Sequence, residues 1–185
     1  MRAVVGLGNP GDEYAETRHN AGFVFIRRIA KAWGVRMKKI RHGAKIVLVE
    51  RDGESILLAM PQTYMNRSGE SLSEIVLHYG LSPEQALIIY DDFELPLGEI
   101  RIRPFGSAGS HLGMASVLSE LRTRSVPRMR IGIGPLPEGA DAAEFVLAPF
   151  ADAEAEGLRR GLEKAEKALG VILDGDLDRA MTLYN

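Results

Sequence analysis

The chain opens with a short apolar run ending at Val4-Val5, which empties into Gly6-Leu7-Gly8-Asn9-Pro10-Gly11. A polar cluster, Thr17-Arg18-His19-Asn20, follows before apolar periodicity resumes. Phe23, Ile26, Ile29, Ala30 and Trp33 recur on one face of a helix that Gly34 ends. Ala44–Val49 and Ser55–Met60 are strand-like runs, and Asp52-Gly53 between them predicts a hairpin rather than a βαβ crossover. Leu72, Ile75, Val76 and Tyr79 mark a second helix closed by Gly80; Met114, Val117, Leu118 and Leu121 mark a third.

Ala86–Tyr90 is the strongest central strand and ends at Asp91-Asp92. Glu94–Gly98 reads as a turn, and Glu99–Arg103 alternates as a strand with Arg101 and Arg103 on one face. Arg128–Gly134 is a further strand, whereas Pro135–Ala143 has no apolar repeat and reads as a mobile surface connection. Asp152 starts a long helix reaching Ile172, and Asp176 caps a last one that includes Leu183-Tyr184. Short strands interspersed with amphipathic helices predict a single α/β domain over residues 1–185, a mixed β-sheet flanked by α-helices.

Composition narrows the chemistry. The absence of cysteine removes disulfides, thiolate nucleophiles and thiolate metal sites. No apolar segment has the length of a membrane span or a signal peptide, so a cytoplasmic chain with no membrane partner is expected. The net charge of -2 hides a segregation. The charged residues between Glu16 and Glu50 are all basic, and acids dominate from Glu138 onward. Such a layout suits a polyanion touching one side, or else a solvated basic helix face and hairpin.

Gly6-x-Gly8-x-x-Gly11 matches a dinucleotide fingerprint only formally, because a helix does not open at the third glycine and no acidic residue follows at the required distance. The glycine-rich stretch Pro104–Gly113 lacks the Gly-Lys-Ser/Thr ending of a phosphate-binding loop. The four histidines show no zinc-binding spacing, and no Gly-x-Ser-x-Gly elbow is present. What remains is a histidine and an aspartate activating water, since imidazole titrates near neutrality and a carboxylate can hold its tautomer. Adjacent side chains diverge in a strand, so one acid of Asp91-Asp92 is expected to serve a histidine. Asn66, in the loop after the second hairpin strand, offers an acceptor and a donor to a ligand; alternatively Asn66 or Ser68 caps the next helix.

Taken together, Gly6–Gly11, Tyr14-x-x-Thr17-Arg18-His19-Asn20-x-Gly22, Pro61-x-Thr63-Tyr64-Met65-Asn66-x-Ser68-Gly69, Asp91-Asp92-x-x-Leu95-Pro96-x-Gly98 and Arg130–Gly134 resemble the bacterial-type peptidyl-tRNA hydrolase family, in family order along the chain. The resemblance implies a monomeric α/β hydrolase of the ester between a peptide and the terminal ribose of tRNA, with no cofactor and no catalytic metal. By motif, it implies His19 as general base and Asp91 as its orienting carboxylate. Asn9 and Asn66 then bind the peptide end and position water or the carbonyl, with Tyr14 and Met65 shaping the adjacent walls and His111 touching substrate. Arg103 and Arg130 match positions associated with the tRNA 5′ phosphate, a task suited to guanidinium groups.

The pattern departs from the family at Gly109-Ser110-His111-Leu112-Gly113, where Leu112 stands in place of an asparagine and cannot make that side chain's hydrogen bonds. Glu94 stands in place of an aspartate, and Pro135-Leu136 in place of more polar or basic residues. Leu112 motivates the alternative of a tRNA-binding protein with the same fold and little or no hydrolysis.

Overall fold

The computed structural model describes residues 1–185. Its strands are β1 (Arg2–Gly6), β2 (Lys39–Arg41), β3 (Ala44–Arg51), β4 (Glu54–Pro61), β5 (Ala86–Pro96), β6 (Ile100–Arg103) and β7 (Arg128–Gly134). The helices are α1 (Ala21–Ala32), α2 (Ser68–Tyr79), α3 (Leu112–Leu121), α4 (Ala142–Leu147), α5 (Ala155–Leu173) and α6 (Leu177–Tyr184). One mixed sheet of seven strands in the order β2-β3-β4-β1-β5-β7-β6 carries them all. β1 runs parallel to both β4 and β5, and β5 parallel to β7, so four carboxyl ends share one edge of the sheet. β2, β3 and β6 are antiparallel to their neighbours. No helix is long and apolar enough to cross a membrane.

Side chains alternate along each central strand and feed two cores. Val4, Leu58 and Ile89 meet α1, α5 and α6 on one face, while Val5, Leu57 and Ile88 meet α2 and α3 on the other. The near-continuous apolar runs of these strands are thus what a sheet covered on both faces requires. Glycine lets one layer come down onto the sheet. A Cβ on Gly22 would collide with the carbonyl of Ile89 and the backbone of Leu7, so only glycine allows α1 to begin directly over β1 and β5.

Several boundaries differ from expectation. The Asp52-Gly53 hairpin forms, with positive φ at both residues as a type I′ turn needs. β5 does not end at Asp91-Asp92 but continues to Pro96, and its pairing with β7 shifts between Asp92 and Pro96. Glu94 to Pro96 therefore belong to the strand, leaving the turn to Leu97-Gly98. β2 is a fully exposed three-residue edge strand with no alternation to read. The Pro135–Ala143 connection stops short of its expected end, because Asp141 accepts from the Glu144 amide and starts α4 at Ala142. Asp152 starts a 3-10 turn that leads into α5, and Asp176 caps α6 by accepting from the Arg179 amide.

The basic run also fails to make one face. Arg18 is buried against Glu154, and Arg28 pairs with Glu166, so the acidic second half neutralises part of it internally. Lys38, Lys39, Arg41 and Lys45 remain exposed at the β2 edge, at the opposite end of the sheet from β6.

Candidate active site

The shared carboxyl edge of β1, β4, β5 and β7 opens into a cleft of about 1030 Å³. His19, Asp91, Asn9, Met65, Asn66 and His111 all line it, as do Arg103 and Arg130. Residues more than a hundred positions apart, such as Asn9 and Arg130, therefore meet, as expected where parallel strands deliver loops to one crevice.

Asp91 is the centre of the arrangement, only 3% exposed. His19 Nδ1 lies 3.0 Å from both of its carboxylate oxygens. His111 approaches from the other helical layer, with Nε2 3.0 Å from Asp91 Oδ1. The two rings come from the heads of α1 and α3, their centroids 5.0 Å apart. His111 Nδ1 accepts from the Met114 amide at 3.1 Å, which puts its proton on Nε2, donating to Asp91. Burial by itself raises the Asp91 carboxyl. The positive charge that His111 carries once protonated and its hydrogen bond, then the hydrogen bond and corresponding charge of His19, more than offset that and hold it down at about 2.

With Nδ1–H donating to an ionised Asp91, His19 presents Nε2 as a free base. His111 is placed differently from the substrate-contacting residue expected, since both of its ring nitrogens are committed inside the protein. The three side chains also bring ligand atoms within 4.8 Å of one another. A cation could use that spacing only by displacing the protons that now link both histidines to Asp91.

Asn9 and Asn66 differ in kind. Asn9 is buried, its backbone bracketed by Asn20, whose Oδ1 accepts from the Asn9 amide at 2.8 Å and whose Nδ2 donates to the Asn9 carbonyl at 3.0 Å. Asn9 Oδ1 accepts from the Met65 amide at 2.8 Å, leaving Nδ2 as its unspent side-chain donor. Asn66 is exposed, and neither it nor Ser68 caps α2; Ser68 Oγ instead donates to the Met65 carbonyl. Met65 is buried as part of the wall, but Tyr14 is absent from the cleft lining, a correction to its expected place.

Asp92 diverges from Asp91 as a strand demands: its Oδ2 accepts from Arg130 Nη1 at 2.7 Å and its Oδ1 from the Glu94 amide. Arg130 therefore enters the cleft already paired, whereas Arg103 has no carboxylate partner and donates to the Ile102 carbonyl. Leu112 is 63% exposed at the first turn of α3, on the rim with Tyr64, Phe105 and Leu147.

Two positioning residues were named in the sequence motif around His19 without a role being assigned to them. Asn20 clamps the loop that carries Asn9. Arg18 donates Nη1 to the Pro149 carbonyl at 2.8 Å and Nη2 to Glu154 at 2.7 Å, with its guanidinium over the Phe145 ring, and so pins the turn bearing His19 to the far end of α4. The sequence signal for them is membership of the motif around His19, which carries no information about their distant partners.

Comparison with known proteins gives a consistent picture. A family model described as peptidyl-tRNA hydrolase matches residues 3–185. A peptidyl-tRNA hydrolase of Alkaliphilus metalliredigens is 42% identical over 186 residues, 100% of each chain. One of Carboxydothermus hydrogenoformans is 44% identical over 185 residues, 100% of this chain and 98% of its own. The crystal structure of peptidyl-tRNA hydrolase from Acinetobacter baumannii superposes with a TM-score of 0.93 at 31% identity, covering 100% of this chain and 96% of that one.

Proposed function

The chain belongs to the peptidyl-tRNA hydrolase family and hydrolyses the ester joining peptide to tRNA, and from that premise we propose that His19 is the general base, with Asp91 as its orienting acid. The observation that carries this reading is one buried carboxylate receiving both histidines at 3.0 Å, which leaves His19 Nε2 free toward the cleft.

Nε2 takes a proton from water as the water oxygen bonds to the ester carbonyl carbon. Asp91 stabilises the imidazolium so formed, without itself becoming protonated. Collapse of the tetrahedral intermediate breaks the bond to the ribose oxygen, which receives the proton from Nε2. The products are a peptide carboxylic acid, which loses its proton to solvent, and a tRNA hydroxyl, and the base is regenerated. His111 acts as a positioning residue, fixing Asp91 in one rotamer and keeping it ionised. Asn9 Nδ2 and the Asn66 amide are the donors available to the peptide end and the carbonyl oxygen. Arg103 and Arg130 receive tRNA phosphate. Leu112 touches none of the hydrogen bonds at Asp91, so its apolar side chain is compatible with turnover. One chain supplies every group of the dyad and cleft, in keeping with a monomer.

Asp91→Asn and Asp92→Asn provide the test. Asn at position 91 cannot stabilise the imidazolium, and its single-turnover rate on peptidyl-tRNA should fall by about 100-fold or more. Asp92→Asn should retain most of that rate, since Asp92 serves Arg130. A larger chemical defect at Asp92 would overturn the assignment.

A further inference from the structure

Beside the catalytic cleft lies a second hollow of about 430 Å³, lined by Ser107, Ala108, Ser119, Arg122, Thr123 and Arg124 among others. Ser107 and Ala108 line both, so the two surfaces are continuous. The hollow contains two arginines and three hydroxyl groups, with no carboxylate. Neither arginine pairs with an acid, in contrast to Arg2, Arg18, Arg28, Arg67, Arg130 and Arg159, so both guanidinium groups are uncommitted. Glu120 is the nearest acid along the chain, and its side chain lies against Gly69 of α2.

The hollow is built rather than incidental. Arg128 is buried and spends its donors on main-chain carbonyls: Nη1 on Gly106 and Ser107, Nη2 on Arg124, and Nε on Val126. The Gly106 amide also donates to the Arg124 carbonyl at 3.1 Å. One guanidinium thus staples the loop before α3 to the loop after it, fixing Ser107 beside Arg124. Arg122 ends α3 with φ 51, a left-handed conformation uncommon for a side chain of its size. A cation at a helix carboxyl end is favourable in itself. That accounts for one arginine, but not for a second one or for the stapled, acid-free loop.

We propose that Arg122 and Arg124 form a second phosphate seat, which grips the RNA backbone of the substrate as it leaves the catalytic cleft over Ser107 and Ala108. This rests on peptidyl-tRNA being the substrate. Exposed guanidinium groups without acidic partners are ready to make charge-assisted bonds to phosphate oxygens, and Thr123, whose Oγ1 accepts from the Ser125 amide, keeps its hydroxyl proton to donate. Arg103 and Arg130 hold phosphate inside the cleft, and this seat extends the track outside it.

The test uses the whole protein with the double variant Arg122→Asn, Arg124→Gln and the charge-retaining double variant Arg122→Lys, Arg124→Lys. Binding of deacylated tRNA is measured across a salt series, together with hydrolysis of full-length peptidyl-tRNA and of a peptidyl ester of a single nucleoside. The neutral variant should lose about tenfold in tRNA affinity at low salt, and its log-log salt slope should shrink by about one to two, as expected for losing two phosphate contacts. KM for the full-length substrate should rise in step, with kcat within about twofold and the nucleoside ester cleaved as by the wild type. The lysine variant should recover most of the affinity. Unchanged affinity and slope would overturn the proposal, as would an equal loss on the nucleoside ester, which would mean a distorted active site. A wild-type protein that cleaves neither ester refutes the hydrolase reading instead, and the affinity series then decides this proposal by itself.

Discussion

Asp91 is a buried anion whose stability depends on two cations-in-waiting. Its carboxyl titrates at about 2 in the folded chain against 3.8 for the ordinary group. A depressed carboxyl pKa stabilises the fold above the unfolded value, and that stability is lost as pH falls through the folded one. Between pH 4 and pH 2 Asp91 should therefore cost the wild type about 2 kcal/mol that an Asp91→Asn variant does not lose. Urea unfolding of both proteins at the two pH values measures the difference; parallel losses would mean that the histidines do not hold the carboxylate. Legibility at this scale was uneven. Asp91 stood out as a polar group ending an apolar run and His19 as part of the polar cluster beyond the glycine-rich turn, while their pairing was implied only by the family resemblance. The commitment of both His111 nitrogens did not, because it depends on the Met114 amide at the start of a helix and on an acid twenty positions away.

Among elements, the contact of α3 with the turn at Met65 sets the site most tightly. A Cβ on Gly113 would collide with Met65 Sδ and sit 3.1 Å from both His111 Cε1 and Leu7 Cδ1. Gly113→Ala should therefore destabilise the fold by about 1–3 kcal/mol and slow the chemical step by displacing His111. Denaturant midpoints and single-turnover rates check both effects, and wild-type values for both would show that the packing there is loose. Elements with strong apolar periodicity, α1, α2 and the β3–β4 hairpin, were readable because burial on one face writes a period into the residues. β2 and α4 were not: β2 is exposed throughout, and the six-residue α4 places Phe145 against Arg18, a partner distant in sequence. The polar tail of β5 reads as a turn although it is held in the sheet by β7, a tertiary pairing that overrides local composition.

For the whole molecule, charge segregation in sequence translated poorly into charge segregation in space. Arg18 and Arg28 are consumed by acids from the second half, and the exposed basic edge at β2 lies across the sheet from the cleft arginines. Arg103, which has no acidic partner, is the cleaner probe of tRNA contact, because removing Arg130 also strands Asp92. Arg103→Gln should weaken binding of full tRNA severalfold and reduce the salt slope by about one, with less effect on a short peptidyl-nucleoside ester. Affinity across a salt series decides it; equal proportional losses on both substrates would place Arg103 in the chemistry instead.

The central claim is that His19 Nε2 activates water, and the most direct measurement is the single-turnover rate of His19→Ala at saturating peptidyl-tRNA. The rate should fall by about 100 to 10,000-fold while tRNA affinity and thermal midpoint stay close to wild type. A folded His19→Ala protein that binds tRNA normally and cleaves it at the wild-type rate would contradict the claim.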